Sequence, residues 1–324
     1  VNDERPVVRS SGRPVVVWQP HATVDTLRER ARLVGRVRSF FAERGVLEVD
    51  VPVLQGGANL DPSISPLAVA VHDGRRWLPT SPEHPLKRLV AAGYGDVWAL
   101  HPAFRRGEFS HRHQPEFRML EWYRCGWDDA RLLTETVALL VALTGFGGGV
   151  EVLTWRAALI RHAGIDPVCA SDEDWRQRLG DEATAVTIDG HLDHNLAADL
   201  VLANLVEPHL GRDGWTALTA YPARLAAQAR IRDGVAARFE LYRDGIELAN
   251  GYHELGDGGE LTARLTAEQA QRADAPDLDQ RFLAAMDAGL PDCAGVAVGF
   301  DRVVMLALGL PAVSATMAFP WDRA

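Results

Sequence analysis

Four short stretches of this 324-residue sequence hold residue types and spacings that could do chemistry. The first is Phe104-Arg-Arg-Gly-Glu-Phe-Ser-His-Arg-His-Gln-Pro-Glu-Phe117, where Arg105, Arg106, His111, Arg112 and His113 crowd a loop between two apolar runs. Arginine offers a planar fork matched to phosphate oxygens. The loop is therefore either a clamp for a polyphosphate, with Phe117 giving a face to a base, or a solvated basic hairpin. Metal binding by His111 and His113 is the weaker reading, since no third ligand stands at a matching spacing. The second stretch is Glu247-Leu-Ala-Asn-Gly-Tyr-His-Glu254. Extended, it puts Glu247, Ala249, Gly251 and His253 on one face and Asn250 and Glu254 on the other. An irregularity at Gly251 would bring Glu247 and Glu254 together as an oxygen site for Mg²⁺ on nucleotide phosphates; the alternative is an edge strand with solvated acids. In the third, Ala294-Gly-Val-Ala-Val-Gly-Phe-Asp-Arg302, a strand of small residues enters a helix. The helix N-terminus and Arg302 would favour a phosphate, against plain packing. The fourth, Pro79-Thr-Ser-Pro-Glu-His-Pro-Leu-Lys-Arg-Leu89, sets Ser81 and Glu83 before a helix. Glu83 either binds a substrate ammonium or caps that helix. Tyr123 reads more readily as core than as ligand.

The elements that must position these stretches follow from periodicity. Leu27, Ala31, Val34, Val37, Phe40 and Phe41 predict a helix over 27–44, with Asp25 as N-cap and Gly45 just past its end. Val46–Val51 alternates and Pro52 closes it, which predicts a strand. Strands are expected at 67–71 and 76–79, a helix at 85–93, and an antiparallel pair at 96–104 and 117–123 that carries the basic loop. Helices are expected at 128–144, 154–162, 171–179 and 192–206. Strands follow near 216–220, 236–242, 245–254 and 294–299, then a helix at 300–308. Strands from both ends enclose a helical middle. The expected fold is one α+β domain, 21–324, around a mainly antiparallel sheet, with a helical insertion at about 150–210 and a mobile tail at 1–20.

Composition narrows the class. Acidic residues number 44 and basic ones 34, a net charge of −10, with 47% hydrophobic and 24% charged; this excludes a disordered, collagenous or disulfide-built chain. Cys125, Cys169 and Cys293 are odd in number and lack CxxC spacing, as expected of reduced thiols in a cytoplasmic protein. No apolar run approaches the roughly 20 residues of a membrane span, and Arg5, Arg9 and Arg13 precede no secretory apolar segment. The acidic balance argues against a broad nucleic-acid surface. Lys87 is the only lysine beside 33 arginines, which reads as composition bias.

The order of the four stretches resembles the motif series of class II aminoacyl-tRNA synthetases. Ser-Pro-Glu…Lys-Arg-Leu, Arg-His-x-Pro-Glu-Phe and Glu-Leu-Ala-Asn-Gly-Tyr-x-Glu narrow it to lysyl-tRNA synthetases. Trp18-Gln-Pro, Met119-Leu-Glu-Trp-Tyr-Arg, Gly289-Leu-Pro-Asp-Cys293 and the closing Asp-Arg-Ala are most similar to the elongation factor P lysine-lysyltransferase family. The resemblance covers about 18–324 and implies a class II synthetase core. It implies that ATP and a lysine, chiefly (R)-β-lysine, form an aminoacyl-adenylate whose acyl group passes to a lysine ε-amine of elongation factor P. Only 26 residues precede Leu27, too few for an anticodon-binding barrel, so a protein acceptor is expected and tRNA is not. A homodimer through 27–44 and 46–51 is also implied.

Carried over by position, the resemblance makes Arg105 and Arg302 the catalytic pair, with Arg105 on the α-phosphate. Phe117 and Arg302 would sandwich adenine, with Gly299 leaving room, and Arg106, Gly107, Glu108, Gln114 and Leu248 would lie around ATP. Glu247 and Glu254 would hold Mg²⁺. Ser81, Pro82, Glu83, Tyr123, Asn250, Glu254 and Ala297 would surround the lysine. The family carries Phe-Arg-Asn-Glu where this chain has Phe104-Arg-Arg-Gly, so either Glu108 takes the place of the missing acid or nucleotide selectivity is relaxed. Gln114 stands where asparagine is usual. Ala297 stands where lysyl-tRNA synthetases have glycine, which implies (R)-β-lysine over α-lysine.

Overall fold

The computed structural model describes residues 18–61, 64–72, 74–188, 191–271 and 275–324; all but the last three residues of the expected tail lie outside them. Helix α1 (Val24–Ala42) starts three residues earlier than the apolar spacing predicts. Thr23, not Asp25, is its N-cap: the Thr23 hydroxyl accepts the Thr26 N–H, and Asp25 sits in the first turn. Of the strand expected over 46–51, only β1 (Leu47–Glu48) joins a ladder. A hairpin, β2 (Leu67–Val71) and β3 (Gly74–Leu78), stands apart from the main sheet. Helix α2 (Glu83–Ala91), strands β4 (Val97–Phe104) and β5 (Glu116–Cys125), and helix α3 (Asp129–Thr144) follow the sequence pattern closely.

The next segment opens with a strand the pattern did not predict, β6 (Val150–Thr154), before the helical stretch begins. That stretch holds α4 (Trp155–Ala158), α5 (Asp172–Leu179), a small pair β7 (Thr187–Ile188) and β8 (His191–Leu192), and α6 (His194–Val201). Both α4 and α6 run on as single π-helical turns. Its apolar side chains, with Trp155 and Trp175 among them, form a core of their own against Leu218, Tyr221 and Tyr242.

The chain then returns through β9 (Trp215–Pro222), β10 (Ile231–Arg232), β11 (Val235–Arg243) and β12 (Ile246–His253). Helices α7 (Gly258–Ala270) and α8 (Gln280–Gly289) went unread in the sequence; β13 (Cys293–Gly299) and α9 (Phe300–Ala307) did not. The main sheet runs β1-β4-β5-β13-β12-β11-β9-β6, with β10 on β11. Its pairs are antiparallel except at the two ends, β1 with β4 and β6 with β9. Among the described residues no helix is long and apolar enough to cross a membrane.

Alternation along the strands divides the sheet into two faces. Leu120, Trp122, Phe239, Leu241, Val296 and Val298 point one way, into a core closed by Phe41 of α1, Leu139 and Leu140 of α3, and Val303 of α9. Phe41 stacks on Trp98 with ring centroids 5.0 Å apart. The opposite face carries the residues of interest below.

The irregularity expected at Gly251 lies elsewhere. Pairing of β12 with β13 runs unbroken from Ala249 to His253. Against β11 the register slips between Leu241, opposite Ala249, and Tyr242, opposite Glu247. Leu248 is thus the extra residue, and Glu247 joins the face of Asn250 and Tyr252. Gly251 serves packing instead: it faces Phe239 across the ladder, and a methyl there would lie 2.4 Å from Phe239 Cζ. Replacing Gly251 by alanine is expected to destabilise the fold by about 1–3 kcal/mol through overpacking. Urea unfolding measures this, and an unchanged midpoint would contradict it.

Candidate active site

Four neighbouring strands, β5, β13, β12 and β11, form the floor of a cavity of about 440 Å³. Period-two spacing on β5 turns Phe117, Met119, Glu121 and Tyr123 into it. On β13, at the centre, the corresponding residues are Gly295, Ala297 and Gly299, and on β12 and β11 they are Asn250, Tyr252, Arg238 and Glu240. The cavity exists because the central strand offers almost no side chain on that face. Larger groups stand around it.

Cations gather at one end. Arg105, leaving β4, has its guanidinium carbon 5.2 Å from the Phe117 ring centroid, and Glu108 lies 3.8 Å away. Arg302, on the first turn of α9, donates to the Glu247 carbonyl at 2.7 Å and lies 3.4 Å from its carboxylate. Its second terminal nitrogen donates to His113 Nε2, and its Nε donates to the Arg112 carbonyl. Burial, with the charges of Arg302 and Arg105 adding to it, pushes His113 down to about 4, so the ring is neutral and accepts. The start of α9 is pinned by buried Asp301, which accepts the Arg118 N–H at 2.6 Å and pairs with Arg30 of α1 at 2.5 Å. Glu240 accepts the hydroxyls of Tyr221 and Tyr242 and pairs with Arg238. Burial and the charge of Glu240 raise the pKa of Glu247.

Acids gather at the other end. Glu83 is not a cap: the Ser81 hydroxyl accepts the Glu83 N–H, which leaves the Glu83 carboxylate to Lys87 one turn on, at 2.7 Å. Lys87 also pairs with Glu254 at 2.7 Å. Burial opposes the Lys87 charge, yet Glu254 and Glu83 outweigh it and raise its pKa, so it stays an ammonium. Burial and Glu83 push Glu121 up to about 8, even though it accepts the Tyr123 hydroxyl at 2.7 Å. Burial carries Glu254 up to about 7 despite Lys87.

Of the residues singled out in the sequence, Ser81, Glu83, Arg105, Glu108, Gln114, Phe117, Tyr123, Glu247, Leu248, Asn250, Glu254, Ala297, Gly299 and Arg302 all line this one cavity. Pro82, Arg106 and Gly107 do not. Pro82 is the residue before α2, and Arg106 and Gly107 line a neighbouring groove with Phe109 and Trp321. Gly107 has φ +81°, and the turn it permits delivers Glu108 to the cavity one position later. Gln114 accepts the Trp321 N–H, tying this loop to the C-terminal segment. Glu247 and Glu254 do not form an isolated pair, because Lys87 holds Glu254 while Glu247 faces Glu240. Among the described residues no group of three or more His, Cys, Asp and Glu side chains is arranged to hold a metal.

Lys87, Glu121, Arg238 and Glu240 belong to the site although sequence reasoning passed over them. The signal for Glu121 was its period-two spacing with Phe117 and Tyr123. For Lys87 it was being the one lysine in the chain.

The family model of class II tRNA synthetases (D, K and N) matches residues 13–145 and 215–323, skipping most of the helical stretch between them. Elongation factor P--(R)-beta-lysine ligases of Salmonella typhi and Klebsiella pneumoniae (strain 342) are each 40% identical over 320 residues, which is 95% of this chain and 98% of theirs. That of Proteus mirabilis (strain HI4320) is 38% identical over the same span. A likeness this long, carried on a sheet with cations at one end of its cavity and acids at the other, makes the chain a member of the class II tRNA synthetases (D, K and N) and a ligase.

Proposed function

We propose that this ligase activates (R)-β-lysine with ATP and transfers it to the ε-amine of a lysine on elongation factor P, as the names of its relatives indicate for them. The observation that carries the reading is the polarity of the cavity: Arg105 and Arg302 at one end, and Glu83, Glu121 and Glu254 at the other. A lysine-like substrate placed between them has its ammonium groups among the acids and its carboxylate toward the arginines. In the first step a substrate carboxylate oxygen attacks the α-phosphorus of ATP and pyrophosphate leaves. Arg105 takes up the charge that develops on the α-phosphate, and Phe117 and Arg302 hold the adenine between them. In the second step the acceptor amine attacks the acyl carbon, AMP leaves, and the amine loses a proton. No side chain of the enzyme needs to become acylated; position and charge do the work.

Mg²⁺, when bound, supplies positive charge to the phosphates. Glu247 would hold it; of the acids near it, Glu254 faces the Lys87 ammonium, and Glu240 pairs with Arg238 and accepts two tyrosine hydroxyls. Glu108 takes the adenine-reading role of the family acid absent at 107. The Ala297 methyl, in the middle of the floor between Asn250 and Glu121, favours the β-amino isomer. With an elongation factor as acceptor, the enzyme works in the cytoplasm. The edge of the sheet at β1, where Leu47 is 48% exposed, supports pairing with a second copy through α1 and β1. Light scattering at micromolar concentration is expected to give the mass of two chains.

The deciding experiment incubates enzyme, ATP and (R)-β-lysine with elongation factor P or with total tRNA. Mass spectrometry is expected to show one added lysyl group on a single lysine of the factor and no charged tRNA. The Arg105→Ala variant is expected to lose roughly 10²–10³ in the rate of pyrophosphate exchange. Aminoacylated tRNA beside an unmodified factor would reassign the acceptor, and near-normal exchange by the variant would remove Arg105 from its role.

The pH dependence follows from Glu254. Its pKa of about 7 is raised, so it takes a proton as the pH falls through neutrality. An ammonium binds the ionised form, and Glu121, at about 8, takes up its proton over the same range. KM for the lysine substrate is therefore expected to rise as the pH drops from 8 to 6, by at most about tenfold per unit for each proton. KM for ATP should stay flat across that range, and parallel profiles for both substrates would contradict this.

A further inference from the structure

The single lysine of the chain lies beneath the acid end of the cavity, 2% exposed. Three oxygens surround its ammonium: Glu83 Oε1 at 2.7 Å and Gln228 Oε1 at 3.0 Å accept hydrogen bonds from it, and Glu254 Oε2 stands at 2.7 Å as its ion-pair partner. Each carboxylate gives Lys87 one oxygen and keeps the other. Glu83 Oε2 lies 3.5 Å from Asn59 Nδ2. Glu254 Oε1 sits over Gly295, 2.5 Å from the place a methyl would occupy. Asn59 and Gly295 both line the cavity, so the spare oxygens are on its side. Three oxygens around one point suit a compact ammonium, whereas a planar guanidinium spreads its donors over a wide fork. Arginine fills the other 33 basic positions, and this one asks for lysine.

We propose that Lys87 is a positioning residue for the amino-acid substrate: by bridging Glu83 and Glu254 it turns one oxygen of each toward the cavity and sets the separation at which the two substrate ammonium groups are held. The proposal rests on reading this end of the cavity as the lysine site. Without the bridge, the partly buried Glu83 carboxylate and the buried Glu254 carboxylate would stand together with no countercharge and nothing to fix their separation.

The test compares unmutated enzyme with Lys87→Met and Lys87→Arg by (R)-β-lysine-dependent ATP–pyrophosphate exchange. In both variants KM for the lysine is expected to rise by about 30-fold or more, the scale of a lost buried pairing, while KM for ATP stays within about twofold. A lysine KM near that of the unmutated enzyme in either folded variant, with only a lowered melting temperature, would overturn the proposal and leave Lys87 a stabilising ion pair. Should neither variant fold, Gln228→Met keeps both ion pairs and removes only the third oxygen. It is expected to raise the lysine KM by about 3-fold to 10-fold with ATP unaffected, and no change would again overturn the proposal. If the unmutated enzyme shows no exchange with lysine at all, the reading of the site itself fails, a result distinct from normal exchange by the variants.

Discussion

A buried ammonium shared by two carboxylates governs how this molecule is arranged. Removing such charges from water is costly unless each has a partner at close range. That requirement reaches far into the fold. Helix α2 must set Lys87 one turn beyond Glu83, and the end of β12 must bring Glu254 in from the far side of the chain. The loop before β10 must supply Gln228. Where the partnership is incomplete, protons make up the difference, and Glu121, beside the pair without a cation of its own, is pushed up to about 8.

The sheet answers the same problem from below. One face is closed by large side chains such as Trp122 and Phe239, packed against α1, α3 and α9. The other keeps its central strand bare with Gly295, Ala297 and Gly299, so polar groups from both flanks share a single space. A methyl at Gly295 would meet Tyr123 and Glu254 within 2.6 Å, so the acid end closes around a missing side chain. Order at the cation end comes from Asp301, which ties the helix carrying Arg302 to β5 and to α1.

Strong period-two and 3.6-residue patterns made β4, β5, β11, β12, β13, α1 and α3 legible in the sequence to within a few residues. Short or conditional elements were not: β1 shrank to two residues because only Leu47 and Glu48 find a parallel partner, and β6 forms only because β9 pairs with it. Helix α7 buries only Leu261 and Leu265, a narrow stripe, whereas α8 buries Phe282, Leu283 and Met286 at helical spacing and went unread despite that signal. Site residues inside recognisable motifs were legible by type, and most of them reached the cavity. What sequence could not give was who neutralises whom. Lys87 is adjacent to Glu83 in the helix, but its pairing with Glu254 spans 167 positions and exists only in the folded sheet.

The lone lysine has a further consequence under the proposed function, in which the enzyme makes activated lysyl groups. Mixed anhydrides of this kind acylate any free ε-amine they meet. Every other basic side chain here is arginine or histidine, and a guanidinium that holds its proton is a poor nucleophile. The one ε-amine the chain has is sealed under the cavity and kept protonated by Glu254 and Glu83. An acyl group that escapes therefore finds no ε-amine on this chain to modify, which leaves thiols such as the exposed Cys169.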